Sequence, residues 1–491
     1  MGLNLLKKGG RLGYISSSTF FRTNSGTPLR EFLKVQSNLL RVIDFNDYPV
    51  FEGVTTYPAI LIMEKPERLR KQAPKSEFNF LNITVKKDPL HSALKLQLQT
   101  DFGVMKQASL KIEAWQLEDE QFIKLRQKIT HNYKTLKEVY GSPLYGIKTG
   151  LTEAFVINHE QYARLKTDDP NGQILKPFLE GKDLKRWRAE SRDLYLILFP
   201  KGWTHEQLRP KTDNENLSEE VTALEEPEAW AYVQKNYPNI AEHLSSYATQ
   251  GRKRGDKGDF WWELRACSYY EKFEESKIIY NRFMPHSLFW LDCINNYHND
   301  ALYFIPEVGY YELGLLNSKL YWYLLTANAL TMSGGFYQIH GNVLEKVPIP
   351  SADGTQQKNI ADLAEKCQAN AKDRYELEQK VQRRFIENLR PANNVESLNT
   401  KLNQWWKLAT VTDLATEARK AFKLKKSETL KVDLTDPNKQ DAWEKLLKDN
   451  TQTWQDYTKT INSLEQQINT AVYALFKLSP EEINLIEKTK P

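Results

Sequence analysis

The chain of 491 residues is 40% hydrophobic and 27% charged, ordinary globular proportions that exclude wholesale disorder and leave room for about three domains. Its net charge of +5 and pI near 8.7 are only mildly basic, so an anionic partner would meet a local patch, not the whole surface. The cysteines Cys267, Cys293 and Cys367 are odd in number and scattered. They argue against a disulfide framework or a cysteine-based zinc site and point to a reducing, cytoplasmic setting. No apolar run of about eighteen residues and no signal-peptide pattern occur, so no membrane partner is expected.

In chain order, Leu5–Gly10 reads as a helix end stopped by glycines. Arg11–Ser17 is a strand, Thr27–Lys34 a helix opened by Thr-Pro, Leu39–Phe45 a second strand and Tyr57–Met63 a third. The helix-linked pair is expected to be parallel and the loop-linked pair antiparallel. Three strands and one helix do not cover both faces of an α/β sheet, and an unpaired edge at Arg11–Ser17 would invite a partner strand. Residues 69–139 read as a charged connector holding a strand at Phe78–Val85 and a helical stripe from Glu118 to Tyr140.

Next comes Tyr145-Gly-Ile-Lys-Thr-Gly-Leu-Thr-Glu-Ala-Phe-Val-Ile-Asn158. Two glycine turns lead into an expected strand at Ala154–Ile157. Leu175–Trp187 adds a platform and a loop carrying Lys182, Lys185, Arg186 and Trp187. Alone, this reads more readily as a β-turn with a solvated charged face than as an approach to an anionic polymer. Further on, Lys201, Arg209 and Lys211 flank Trp203. Gly251–Gly258 is a basic loop (Arg252, Lys253, Arg254) that reads equally well as solvated surface. Asp259-Phe-Trp-Trp-Glu-Leu-Arg265 sets core aromatics beside an arginine. Tyr311–Leu325 is an apolar helix, and Gln338, His340 and Asn342 precede the Val-Pro-Ile-Pro350 stop. His340 has no second histidine or carboxylate cluster and reads as structural. Residues 351–491 are expected to be helical: Gln356–Leu389 at near-heptad spacing, Val395–Lys425, Ser463–Phe476, and a capping box at Ser479-Pro-Glu-Glu482.

The order Lys-Lys-Gly-Gly-Arg-Leu-Gly-Tyr-Ile-Ser, Leu-Arg-Glu-Phe-Leu and Val-Phe-Glu-Gly-Val-Thr-Thr-Tyr-Pro-Ala-Ile-Leu-Ile resembles the last third of the catalytic domain of gamma-class adenine-N6 DNA methyltransferases. The closest likeness is to the type IIG restriction–modification enzymes. The Gly-Ile-Lys-Thr-Gly motif, the Leu-Asn-Ser-Lys helix and the Val-Pro-Ile-Pro turn resemble a TaqI-like target-recognition domain. The closing Val-Tyr-Ala-Leu-Phe-Lys-Leu-Ser-Pro-Glu-Glu is similar to the family's last segment, with Phe476 and Lys477 replacing Tyr-Gly, so an altered turn is expected there.

The resemblance implies an α/β plus α+β fold class. An incomplete Rossmann-like sheet would occupy residues 1–68, the connector 69–139, a mixed target-recognition domain 140–350 and a helical region 351–491. It implies double-stranded DNA as partner and Phe51, otherwise a core aromatic of a hairpin, stacking on a flipped adenine. The DNA contacts it implies are Lys148, Lys182, Lys185, Arg186, Arg252, Lys253, Arg254, Arg265, Gln338 and Asn342. S-adenosylmethionine would serve the complete enzyme. The family's acidic Gly-rich turn and Asn-Pro-Pro-Tyr occur nowhere in these 491 residues, so no catalytic, cofactor or metal residue is assigned and the chain alone is expected to be inactive. A separate polypeptide carrying the cofactor half, docked across Arg11–Ser17, is the expected alternative source of activity. A specificity module that binds DNA without catalysis is the other reading.

Overall fold

The computed structural model describes residues 2–488 except 47, 52–56, 84–91, 209–223, 333 and 393. The chain is mixed α and β, with several small sheets and many helices.

The N-terminal sheet contains β1 (Arg11–Ser17), β2 (Asn38–Asp44), β3 (Pro58–Glu64), β4 (Glu77–Asn82) and β5 (Gly103–Lys106), in the spatial order β1-β3-β2-β4-β5. β3 runs antiparallel to both β1 and β2. The helix-linked pair therefore points the same way, as its crossover requires, but the hairpin strand lies between them. β4 is parallel to β2, and β5 antiparallel to β4. Alternation along β3 turns Ala59, Leu61 and Met63 onto Leu33 of the helix Thr27–Gln36, with Phe21 and Trp115. The other face holds Ile43, Leu81 and Ile83 against Leu94 and Leu98 of the helix Ser92–Thr100. Arg30 is fully buried and donates to the carbonyls of Phe20, Thr23, Ile112 and Glu113, tying the turn before its helix to the segment at 112–113. β1 is the sheet edge, and its Tyr14 and Ile15 are exposed.

Two four-stranded sheets follow. One orders Tyr297–His298, Leu175–Leu179, Leu194–Ile197 and Val156–Ile157; the other Phe289–Asp292, Lys277–Asn281, Leu302–Pro306 and Leu144–Tyr145. Strand Lys277–Asn281 is buried on both faces, because Ile279 joins the core shared with Phe178, Trp262 and Phe304, while Ile278 and Tyr280 join the core under the helices. The apolar run Tyr311–Leu325 is two helices, Tyr310–Asn317 and Lys319–Asn328. Ser318 interrupts it because its hydroxyl caps the second helix at the Tyr321 amide. Residues 69–139 divide similarly: β4 and β5 join the first sheet, while Leu125, Ile129 and Leu136 join the core beneath those helices. The expected helix Glu118–Tyr140 is split, since Thr135 forms a capping box with Glu138 and restarts it.

Two long helices, Gly354–Leu389 and Pro437–Leu475, lie antiparallel, as the pairs Arg374–Thr458, Glu378–Trp454 and Phe385–Trp443 require. The second is far longer than the expected Ser463–Phe476 segment. Between them, residues 390–436 build a helical head whose Leu402, Trp405, Leu414 and Phe422 share a core with Phe385 and Leu389 of the first long helix and Trp443 of the second. After the second long helix, Lys477 takes φ +48 and Leu478 donates back to the Tyr473 carbonyl at 3.2 Å. The tight turn is thus kept with lysine in a left-handed position that suits glycine. Ser479 and Glu482 then form the expected capping box. Lys477→Gly is expected to raise stability by about 1 kcal/mol, read as a higher urea midpoint; a lower midpoint would contradict the strain assigned to Lys477.

Candidate nucleic-acid interface

The Tyr145–Asn158 segment passes between the two sheets where only glycine fits. A Cβ on Gly146 would lie 2.0 Å from the Asn299 carbonyl oxygen, and the Ile147 amide donates to His298 at 2.7 Å. Gly150, at φ +68, turns the chain back. Between these glycines Lys148 projects into solvent. The expected strand Ala154–Ile157 shortens to Val156–Ile157 behind a helical turn at Thr152–Phe155. This turn, with Phe178, Glu180, Asn299 and Asp300, lines a groove of about 390 Å³.

Lys148 Nζ lies 2.8 Å from Asp256 Oδ2, and Arg265 Nη1 lies 3.4 Å from Asp256 Oδ1. Both bases are about half exposed, so these pairs hold position without much energy. The hydrogen bond from Lys148 keeps the Asp256 carboxyl below the ordinary carboxylate range. Two bases far apart in the chain thus share one acidic tether beside the groove.

The segment 252–254 is not one basic loop. Arg252 and Lys253 end the helix Ala248–Lys253 and are exposed, with Arg252 Nε bound to Glu226 at 2.8 Å. Arg254 turns inward. Buried over the Phe155 ring, it donates to the carbonyls of Thr149, Trp261 and Glu263, so it braces the Lys148 turn from below. Burial pushes its guanidinium down to about 10. Glu263, fully buried, accepts from the amides of Gly202 (3.1 Å), Thr204 (3.0 Å) and Asp259 (2.9 Å), organising the loops around Trp262. Sequence reading did not single out Glu263; the signal was an acid inside an apolar run, where burial demands partners.

Lys182 and Lys185 sit on or beside the hairpin Leu184–Ala189, near Glu180 (3.6 Å) and Glu190 (3.7 Å) respectively. Arg186 is engaged internally: its guanidinium binds Glu465 at 2.5 Å and the carbonyls of Ser287 and Asn317, and Trp187 Nε1 binds the same carboxylate. The hairpin is thereby pinned to the second long helix. Gln338 is half-buried in the strand Phe336–Gln338, and Asn342 is exposed on the short helix Gly341–Leu344. Burial and Arg282 push the His340 imidazole down. Phe51 is exposed and belongs to the N-terminal unit; residues 52–56 of its loop lie outside the described residues, as do Arg209 and Lys211. A buried carboxyl, Asp44, ends β2 ahead of that loop, and burial raises its pKa.

The Eco57I restriction-modification methylase family matches residues 1–51, the TaqI-like C-terminal specificity domain matches residues 176–349, and a domain of unknown function matches residues 353–472. The type II methyltransferase M.BanIII of Aneurinibacillus aneurinilyticus is 22% identical over 426 residues, covering 78% of this chain and 68% of its own. M.XhoI of Xanthomonas vasicola is 23% identical over 363 residues, covering 71% and 60%. The restriction enzyme and methyltransferase RM.Eco57I of Escherichia coli is 30% identical over 116 residues, covering 24% and 11%. Among solved structures, the type IIL restriction-modification enzyme MmeI in complex with DNA aligns at TM-score 0.46 and 11% identity, over 97% of this chain and 48% of its own. The type IIG restriction endonuclease BpuSI aligns at TM-score 0.31 and 10% identity, over 98% and 49%. The chain thus spans about two thirds of those first two curated relatives and about half of these solved structures. The chain is similar to type II restriction–modification methyltransferases, and its residues 176–349 match the TaqI-like C-terminal specificity domain.

Proposed function

We propose that residues 140–350 read a double-stranded DNA target for adenine-N6 methylation. In this reading residues 1–68 are the end of a Rossmann-like catalytic sheet, 69–139 a connector, and 351–491 a helical support. The observation that carries the reading is the Lys148–Asp256–Arg265 cluster beside the glycine-built groove. Phosphate would displace the weak Asp256 tether and take both bases, positioning the duplex. Arg252 and Lys253 would extend that phosphate contact, with Lys182 and Lys185 on the hairpin side, while Gln338 and Asn342 carry the amides suited to adenine edges. Arg186 and Arg254 act one step back, as positioning residues: they hold the hairpin and the Lys148 turn through internal carbonyls. Phe51, exposed in the loop between β2 and β3, would stack on an extruded base.

Methyl transfer belongs in this reading to a complete enzyme, where S-adenosylmethionine supplies the methyl group. The residues present do not fit that cofactor, since none of the β1–β5 connections among the described residues is the acidic glycine-rich turn it needs. The exposed edge of β1, with Tyr14 and Ile15 outward, suits pairing with a strand from a separate cofactor-bearing polypeptide.

Selection from a randomised duplex pool is expected to enrich one motif. Lys148→Ala and Arg265→Ala should each lower the slope of log affinity against log salt by about one, and Asp256→Asn should raise affinity for all duplexes by removing a like charge. Absence of any enriched motif, with unchanged slopes in all three variants, would sink the reading.

A further inference from the structure

The helical head at 390–436 is a separate feature. Residues 401–431 hold eight lysines and arginines against three acids, a net +5 that equals the charge of the whole chain. The acids are occupied: Glu417 is buried between Lys401 (3.1 Å) and Lys420 (2.9 Å), the Asp413 carboxylate accepts from the Thr410 amide and hydroxyl, and Glu428 accepts from the Lys425 amide. Lys423, Lys425 and Lys426 are exposed and make no ion pair among the described residues.

The turn that carries them is rigid and strained. The Arg419 guanidinium donates to the carbonyls of Lys425 (2.9 Å) and Glu428 (2.8 Å), and the Leu424 amide returns to Arg419 at 3.0 Å, closing the helix Val411–Ala421. Lys423 sits at φ +54 in this closure. Glycine would occupy that position without a Cβ clash, so the lysine there, like Lys477, carries local strain.

The head is also continuous with the DNA-facing hairpin. Arg188 of that hairpin lies 3.6 Å from Glu378 and over the Tyr375 ring at 5.2 Å. The head packs directly onto this stretch of the helix: Gln382 donates to the Asn403 carbonyl at 3.2 Å, and Trp406 stacks at 4.5 Å on Trp454, whose indole binds Glu378.

We infer that the Lys423–Lys425–Lys426 turn is a second, sequence-independent contact for the duplex phosphate backbone, outside the recognised sequence. The inference rests on the DNA-binding reading above. It separates two jobs: the groove residues choose the sequence, and the head adds charge-driven affinity and on-rate without choosing.

The test uses the full chain and a mixed-sequence duplex of about four helical turns, with binding followed by fluorescence anisotropy across salt. Lys423→Gly alone should raise the melting temperature, which controls for folding, and still weaken binding. The triple variant Lys423→Gly/Lys425→Ser/Lys426→Ser should lower the slope of log affinity against log salt by about two to three and leave the motif enriched from a random pool unchanged. If the triple variant keeps the wild-type slope while Lys148→Ala/Arg265→Ala loses it, the head contact is wrong and the groove reading stands. If the wild-type chain binds no duplex at any salt, both fall together. A changed motif in the triple variant would also overturn the inference, since it would make the turn part of sequence readout.

Discussion

Lys277→Met is expected to destabilise the protein by about 3–5 kcal/mol, because it strands a buried carboxylate. Lys277 Nζ lies 2.8 Å from Asp292 Oδ2, and neither side chain is exposed at all. Lys277 also donates to the Phe273 carbonyl at 2.7 Å. Asp292 in turn accepts from the amides of Ile294 (3.1 Å) and Asn296 (2.7 Å), holding the loop that leads into the strand Tyr297–His298. Without the ammonium, those neutral donors remain but the charge does not balance. Lys277→Met/Asp292→Asn should recover most of the loss, since it removes the second charge and keeps one acceptor for the loop amides. The consequence reaches the groove. His298 accepts the Ile147 amide that sets the Lys148 turn, so the single variant should also weaken duplex binding. Urea unfolding of the single and double variants measures the first effect. A loss under about 1 kcal/mol in the single variant, or no recovery in the double, would overturn this account.

Acid should weaken the fold through His298. Its ring is fully buried between Phe273 and Phe304, with centroids 5.2 and 5.3 Å away, and its Nε2 finds no partner among the described residues. Burial pushes the imidazole down to about 3 from its ordinary 6.5. Between those two values the unfolded chain takes up a proton that the folded chain refuses. The stability this provides is fully present above pH 6.5 and is lost as pH falls toward 3. At about 1.4 kcal/mol per pH unit, the loss is about 2 kcal/mol by pH 5 and about 5 kcal/mol in full. His298→Phe should therefore shrink the fall in stability between pH 7 and pH 5 by about 2 kcal/mol, measured by urea unfolding at both values. An identical fall in variant and wild type would show that His298 does not carry it.

Both effects converge on the strand Tyr297–His298: Asp292 holds the loop that leads into it, and its His298 carbonyl accepts the Ile147 amide beside Lys148. Neither could be read from composition. Lys277 looks like one of many lysines in the sequence, and its burial follows only from a strand covered on both faces. His298 likewise gave no signal, because its burial follows from Phe273 of a preceding segment and Phe304 of the next strand closing on the ring.

Local chemistry was readable wherever a short stretch decides its own conformation. The strands at Arg11–Ser17, Leu39–Phe45 and Tyr57–Met63 follow from alternation, and the capping box at Ser479–Glu482 from its own residues. Gly146 marks a close approach where a Cβ would strike the Asn299 carbonyl, and Gly150 a left-handed turn that favours glycine. The ordered motifs from Lys7 to Glu482 were also enough to identify the restriction–modification relatives. Lengths and breaks were less readable: Ser318 and Thr135 cap new helices inside apolar runs, and the second long helix begins near Pro437, ahead of any strong apolar stripe. Only the tertiary structure decided which charges face outward. Arg252 and Arg254 are two residues apart in one basic run, yet one meets solvent and Glu226 while the other is spent on three buried carbonyls. Arg186 turns to Glu465 and Lys148 joins Arg265 through Asp256. A guanidinium satisfies a carbonyl and a phosphate with the same donors, so its identity leaves its partner open. That partner is set by which distant backbone the fold brings within about 3 Å.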